Sequence, residues 1–142
     1  MGRRVSRELT MKLLYQMEFQ KDDRDAQKKL FFEENTISEK DRTYINDVVD
    51  GVYSHFDYIN NMIETHSKGW KISRISRIDL SIMRLSIYEI CFRDDIPFSV
   101  SVNEAVELAK KYSNEDAGSF VNGILSNIPD KKALQGEQSG GV

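Results

Sequence analysis

The stretch RISRIDLSIMRLSIYEICF, residues 74–92, is apolar on two separate sides. At about 100° per residue for an α-helix, Ile78, Ile82, Leu85 and Phe92 fall into one arc, and Leu80, Met83, Ile87, Ile90 and Cys91 into another. Arg77, Ser81, Arg84 and Tyr88 make a polar stripe between the arcs, and Asp79, Ser86 and Arg93 make a second on the opposite side. An ordinary surface helix has a single apolar stripe. A helix with two is expected to be the wall shared by two packed groups of helices. The expected fold is therefore all-α: two small helical bundles sharing a long central helix, with about seven helices in all.

The flanking sequence supplies those helices. Val5, Leu9, Leu13 and Met17, widened by Leu14, predict a first helix over 5–20. A short helix is expected around Leu30, Phe31 and Phe32. Ser38 then stands as a cap, with Asp41 at the capping-box position. Ile45, Val48, Val49, Val52, Phe56, Ile59 and Ile63 predict one helix over 41–65. Ser67, Lys68 and Gly69 end it, and Trp70 is expected to plug the joint before the central helix. After the RDDIPF loop, Ser101 and Glu104 read as a capping box for a helix over 102–112. Ser113 and Asp116 read as the start of a last helix, which packs through Phe120, Val121, Ile124, Leu125 and Ile128 and stops at Pro129. Gly118 and Gly123 within it point to close helix packing or close approach of a ligand. Residues 1–129 are read as one domain and 130–142 as a flexible polar tail.

Composition narrows the function. With 39% hydrophobic residues in 142, the chain can build a real core. No apolar run is long enough to span a bilayer and no signal peptide opens the chain, so a soluble, cytoplasmic protein is expected. Cys91, the single cysteine, lies in an apolar arc and reads as a buried thiol. His55 and His66 lack partners at metal-ligand spacing, and no nucleophilic, phosphate-loop or paired-carboxylate signature is present. A non-enzyme without metal or cofactor is expected. The formal net charge of −3 conceals two basic islands. Arg3, Arg4, Arg7 and Lys12 outnumber acids in the first, and Lys68, Lys71, Arg74, Arg77, Arg84 and Arg93 do so in the second. They read either as solvated helix faces or as one patch for a polyanion. Cations at a helix N-terminus oppose its dipole, so Arg3, Arg4 and Arg7 suggest a phosphate ligand. Tyr15 could extend that surface by stacking on a base, or could be a boundary aromatic.

The Arg-rich opening leading to LLYQ, the central RISRIDLSIMRLSIYEI and the segment DIPFSVSVNEAVELAKKYSNEDAGSFVNGIL together resemble the NusB family of bacterial transcription antitermination factors, over residues 3–128. The resemblance implies the same two-bundle fold and a non-catalytic role. It implies binding of single-stranded boxA RNA in ribosomal RNA transcripts together with NusE, a small-subunit ribosomal protein. The RNA polymerase elongation complex would be reached indirectly, and a homodimer is admitted. Carried over by position, it implies RNA contacts at Arg3, Arg4, Arg7, Tyr15, Asp79, Asp116 and Phe120. Phe120 also reads as core, Asp116 as the acid of its helix start, and Asp79 as a partner for a nearby arginine. The stripe with Arg77 and Arg84 and the loop with Asp94, Ile96 and Pro97 are the expected protein-partner side. Some ribosomal RNA cytosine methyltransferases contain a NusB-like domain, but these also need a methyl-donor domain, for which 142 residues leave no room. A helical adaptor without direct RNA contact is the remaining alternative.

Overall fold

The structure, a computed structural model, describes residues 3–21 and 23–130. The polar tail expected from residue 130 lies, beyond that first residue, outside the described residues. Seven α-helices and one short 3-10 turn make up the described fold, with no strand among those residues. They are α1 (Arg3–Phe19), α2 (Arg24–Glu34), α3 (Glu39–Ser54), α4 (Phe56–His66), α5 (Arg77–Phe92), α6 (Phe98–Tyr112) and α7 (Glu115–Leu125). The 3-10 turn, Ile72–Arg74, precedes α5.

Helix α5 is the common wall. On one side it packs with α1 and α3, and α2 leans on α1; on the other it packs with α4, α6 and α7. Every residue from Asp79 to Cys91 is buried, so both apolar arcs are covered as the two-sided pattern requires. Most of the polar stripes is covered too, Arg77 at the start of α5 staying exposed, although the stripe with Arg77 and Arg84 was expected to be open to a partner. They lie along the seams between bundles, where Arg84 finds partners from both sides. Arg84 Nη1 donates to Glu18 Oε2 of α1 at 2.8 Å and its Nε to Asn60 Oδ1 of α4 at 2.9 Å.

The helix expected over 41–65 is two helices. Its apolar periodicity continues unbroken, but the backbone turns at His55 (φ −118°, ψ 29°), which closes α3 and opens α4. The break has an architectural reason, since α3 belongs to the first bundle and α4 to the second. The His55 ring stacks on Phe92, centroids 4.0 Å apart, and so fixes the corner against the end of α5. Four residues earlier, Gly51 lets α3 approach α5 closely, because a Cβ there would lie 2.0 Å from the Tyr88 ring.

Caps set several boundaries differently from expectation. Ser38 caps α3 as predicted, accepting from Asp41 N at 3.2 Å. The Asp41 carboxylate accepts from Ser6 Oγ, tying α3 to α1. Ser101 is not a cap: α6 begins at Phe98 behind Pro97, and the Ser101 hydroxyl turns inward to Glu89. Asn114, not Ser113, caps α7, its Oδ1 accepting from Ala117 N at 2.8 Å. Trp70 does not plug the joint, for it is 51% exposed. Gly118 meets the Lys110 stem, where a Cβ would sit 2.8 Å from Cγ, whereas Gly123 faces open space. Cys91 is buried as expected.

Candidate nucleic-acid interface

Arg4, Glu8, Lys12, Tyr15 and Phe19 follow one another at steps of three or four, so they share one side of α1. The buried side is the opposite one, centred on Thr10, Leu14 and Met17. Val5, expected to begin the apolar stripe, is 55% exposed. From Arg4 to Phe19 the outer face runs about 22 Å at 1.5 Å per residue. At its start Arg4 Nε donates to Glu104 of α6 at 3.0 Å. Glu8 accepts from Lys111 Nζ at 2.6 Å and from Tyr112 OH at 2.9 Å. The Lys111 hydrogen bond holds the Glu8 carboxyl below its ordinary pKa. The Lys12 ammonium lies 5.6 Å from the Tyr112 ring centre. Tyr15 meets Phe19 edge to face at 5.0 Å, and the Arg77 guanidinium stands 5.3 Å from the Phe19 centroid. Cations thus alternate with aromatic rings along one track, the combination that binds phosphates and stacks unpaired bases.

Arg3 and Arg7 have other surroundings. Arg3 Nη2 donates to Asp95 Oδ2 at 3.1 Å, and its guanidinium lies over the Tyr44 ring. Arg93, from the far end of α5, also lies over the Tyr44 ring, 5.5 Å from its centroid, and binds Asp95 with two nitrogens at 2.8 and 2.9 Å. Chiefly through that Arg93 bond, the Asp95 carboxyl is pulled down to about 2. Arg3, Tyr44 and Arg93 border a cleft of about 590 Å³ that Tyr88 also lines. Burial and the bond to Asp47 push the Tyr88 hydroxyl up to about 12. Arg7 is buried, and the expectation that it grips a ligand phosphate fails on geometry. Its Nε and Nη2 donate to Glu89 at 2.9 and 3.2 Å. Glu89, fully buried, also accepts from Ser101 Oγ at 2.8 Å and from the Tyr44 hydroxyl. One carboxylate therefore joins α1, α3, α5 and α6. Burial opposes the charge on Arg7, and Glu89 outweighs it, raising the Arg7 pKa. Tyr44 is raised strongly, by burial first and then by Glu89.

The remaining expected residues divide by place. Asp79 is buried in the first turn of α5, with its Oδ1 lacking a hydrogen-bond partner. Burial raises its pKa, and no arginine pairs with it among the described residues. Asp116 is exposed in the first turn of α7, where a carboxylate suits the helix dipole. Phe120, one turn on, packs partly against the core and meets the Trp70 ring edge to face, centroids 5.9 Å apart. The expected protein-partner residues do not form one surface. Arg77 lies beside Phe19, Arg84 is buried, and Asp94 and Pro97 are exposed at the opposite end of α5. That end is about 24 Å away along a sixteen-residue helix. Ile96 is buried at 4% exposure.

Sequence reasoning missed Phe19, Lys111 and Tyr112 as members of the track. Phe19 was findable, since it stands one turn beyond Tyr15. Glu89 was findable too: it sits four residues after Leu85 and seven after Ile82, so it is a carboxylate inside an apolar arc that demands a buried cation. Among the described residues no group of His, Cys, Asp or Glu could hold a metal, and no helix is long and apolar enough to cross a membrane.

Comparison with known proteins places this geometry. The sequence pattern of the NusB family matches residues 4–130. The transcription antitermination protein NusB of Ruminiclostridium cellulolyticum is 61% identical over 128 residues, covering 90% of this chain and 88% of the relative. NusB of T. maritima superposes with a TM-score of 0.82 at 31% identity, covering 94% of this chain and 98% of that one. A structure of the antitermination factors NusB and NusE in complex with dsRNA matches with a TM-score of 0.80 at 31% identity, covering 94% and 99%.

Proposed function

The chain belongs to the NusB family, a non-catalytic family of transcription antitermination factors, and from that premise we propose that it binds the boxA segment of ribosomal RNA transcripts together with NusE. The observation that supports this reading best is the outer face of α1, where Arg4, Lys12, Tyr15, Phe19 and the neighbouring Arg77 alternate charge with exposed ring. Arg3 and Arg4 would contact phosphates by exchanging their present carboxylates, both solvent-accessible on at least one side, for the ligand. Tyr15 and Phe120 would stack on bases, and Asp79 and Asp116 would accept from base amino groups. The exposed Asp94 and Pro97 remain our choice for the NusE side. The protein would work in the cytoplasm and reach RNA polymerase through the assembled complex.

A Lys12→Ala, Tyr15→Ala double variant tests the track. Base stacking on one ring is worth about 1–3 kcal/mol, so the expected result is RNA affinity reduced by about tenfold or more with NusE present, at unchanged thermal stability. Equal affinity in a filter-binding titration would remove the track from the site. The pairing of Arg3 with Asp95 and Arg4 with Glu104 favours a second reading, an adaptor that binds NusE without touching RNA. Retention of NusE but no RNA on the immobilised protein, with both supplied, would establish it.

A further inference from the structure

Trp70, the chain's only tryptophan, is half-exposed on a turn that the fold has braced. Buried Ser67 donates its hydroxyl to the Trp70 carbonyl at 2.6 Å, and the Trp70 N–H returns to the Ser67 carbonyl at 3.4 Å. Lys68 and Gly69 make the turn with φ of 54° and 95°, which places a non-glycine residue in the left-handed region. Just beyond, Ile72 N donates to Glu64 Oε2 at 2.9 Å. The indole therefore stands on a fixed backbone, in an edge-to-face contact with Phe120 at 5.9 Å and with much of its surface in solvent.

The cations around it are not neutralised as those of the arginine-rich α1 start and of the α5 seams are. Arg3, Arg4, Arg7, Arg84 and Arg93 all have carboxylate partners. Lys68, Lys71 and Arg74 are exposed, line a hollow of about 390 Å³ with Trp70, and form no ion pair among the described residues. An exposed indole ringed by unneutralised cations matches a stacked base flanked by phosphates better than it matches an apolar protein surface.

We propose that Trp70 is a base-stacking platform of the RNA site, with Phe120 bracing the indole and Lys68, Lys71 and Arg74 holding the flanking phosphates. The proposal rests on the RNA-binding reading above and extends its path from α1 to the turn before α5.

The test titrates the full chain with a fluorescently labelled single-stranded boxA-like oligoribonucleotide, alone and with NusE. Anisotropy of the label reports binding, and the single tryptophan reports its own environment. Trp70 emission is expected to change in step with anisotropy. Trp70→Ala should bind about tenfold more weakly and Trp70→Phe should recover most of the loss. A Lys68→Ala, Lys71→Ala, Arg74→Ala variant should lower the slope of log affinity against log salt by about two, at about 0.7 per single-strand phosphate contact. RNA binding with unmoved emission and wild-type affinity in Trp70→Ala overturns the platform and leaves the proposed function standing. Absence of any anisotropy change for the unaltered protein with NusE overturns both. Emission that responds to NusE alone, and not further to RNA, assigns the indole to the protein partner and overturns the proposal.

Discussion

Arg4 and Arg7 look alike in sequence and do opposite things in the fold. Removing Arg7 leaves Glu89 charged, buried and short of its cation, so Arg7→Ala is expected to cost about 3–5 kcal/mol in urea denaturation. Arg4→Ala should leave stability nearly unchanged, because its pair with Glu104 is solvent-exposed on the arginine side. A triple alanine change at Arg3, Arg4 and Arg7 would thus confuse unfolding with lost RNA contact. Two carboxylates give opposite pH signatures. The folded-state pKa of Asp95 is lowered from 3.8 to about 2, so its stabilisation is full above pH 4 and is lost as pH falls toward 2. Thermal melts of Asp95→Asn should accordingly show a shallower decline across that window. Asp79 is raised, so it penalises the folded state once ionised. The stability of Asp79→Asn relative to wild type should therefore increase from pH 3 to pH 7.

Among elements, the corner between α3 and α4 carries the clearest consequence. Gly51→Ala must push the Tyr88 ring aside and is expected to destabilise by about 1–3 kcal/mol, read as a lower urea midpoint with an unchanged slope. The corner also shows what sequence patterning can reveal. The two arcs of α5 were visible because burial on both sides removes the usual single stripe. The turn at His55 was not, because α3 and α4 each bury a face whose periods happen to join in phase across it. Ser101 misled for a related reason. Its SVNE setting satisfies the capping pattern, but the hydroxyl's better partner is a carboxylate twelve residues back in sequence, visible only once α5 and α6 pack. Within the site, the exposed α1 face was legible through Tyr15, whereas the burial of Arg7 depended on Glu89 across the core.

The whole molecule unfolds as one unit if the seams hold as described. Arg84 and Glu89 each join helices from both bundles through the same central helix. Far-ultraviolet circular dichroism and tyrosine emission should give coincident urea transitions, with no plateau marking one bundle melted and the other intact. A resolved intermediate would show the seams to be weaker than their hydrogen bonds imply.

The order of the helices adds a consequence for synthesis. The first three helices are made before α5, on which α1 and α3 both pack, and α4 must emerge in between for use elsewhere. The parts of α1 and α3 that pack on α5 therefore wait, uncovered, until Phe92 has cleared the exit tunnel. A nascent chain stalled at residue 76 should be protease-sensitive over the residues that have emerged, and one stalled late enough to expose α5 should be protected over its first three helices.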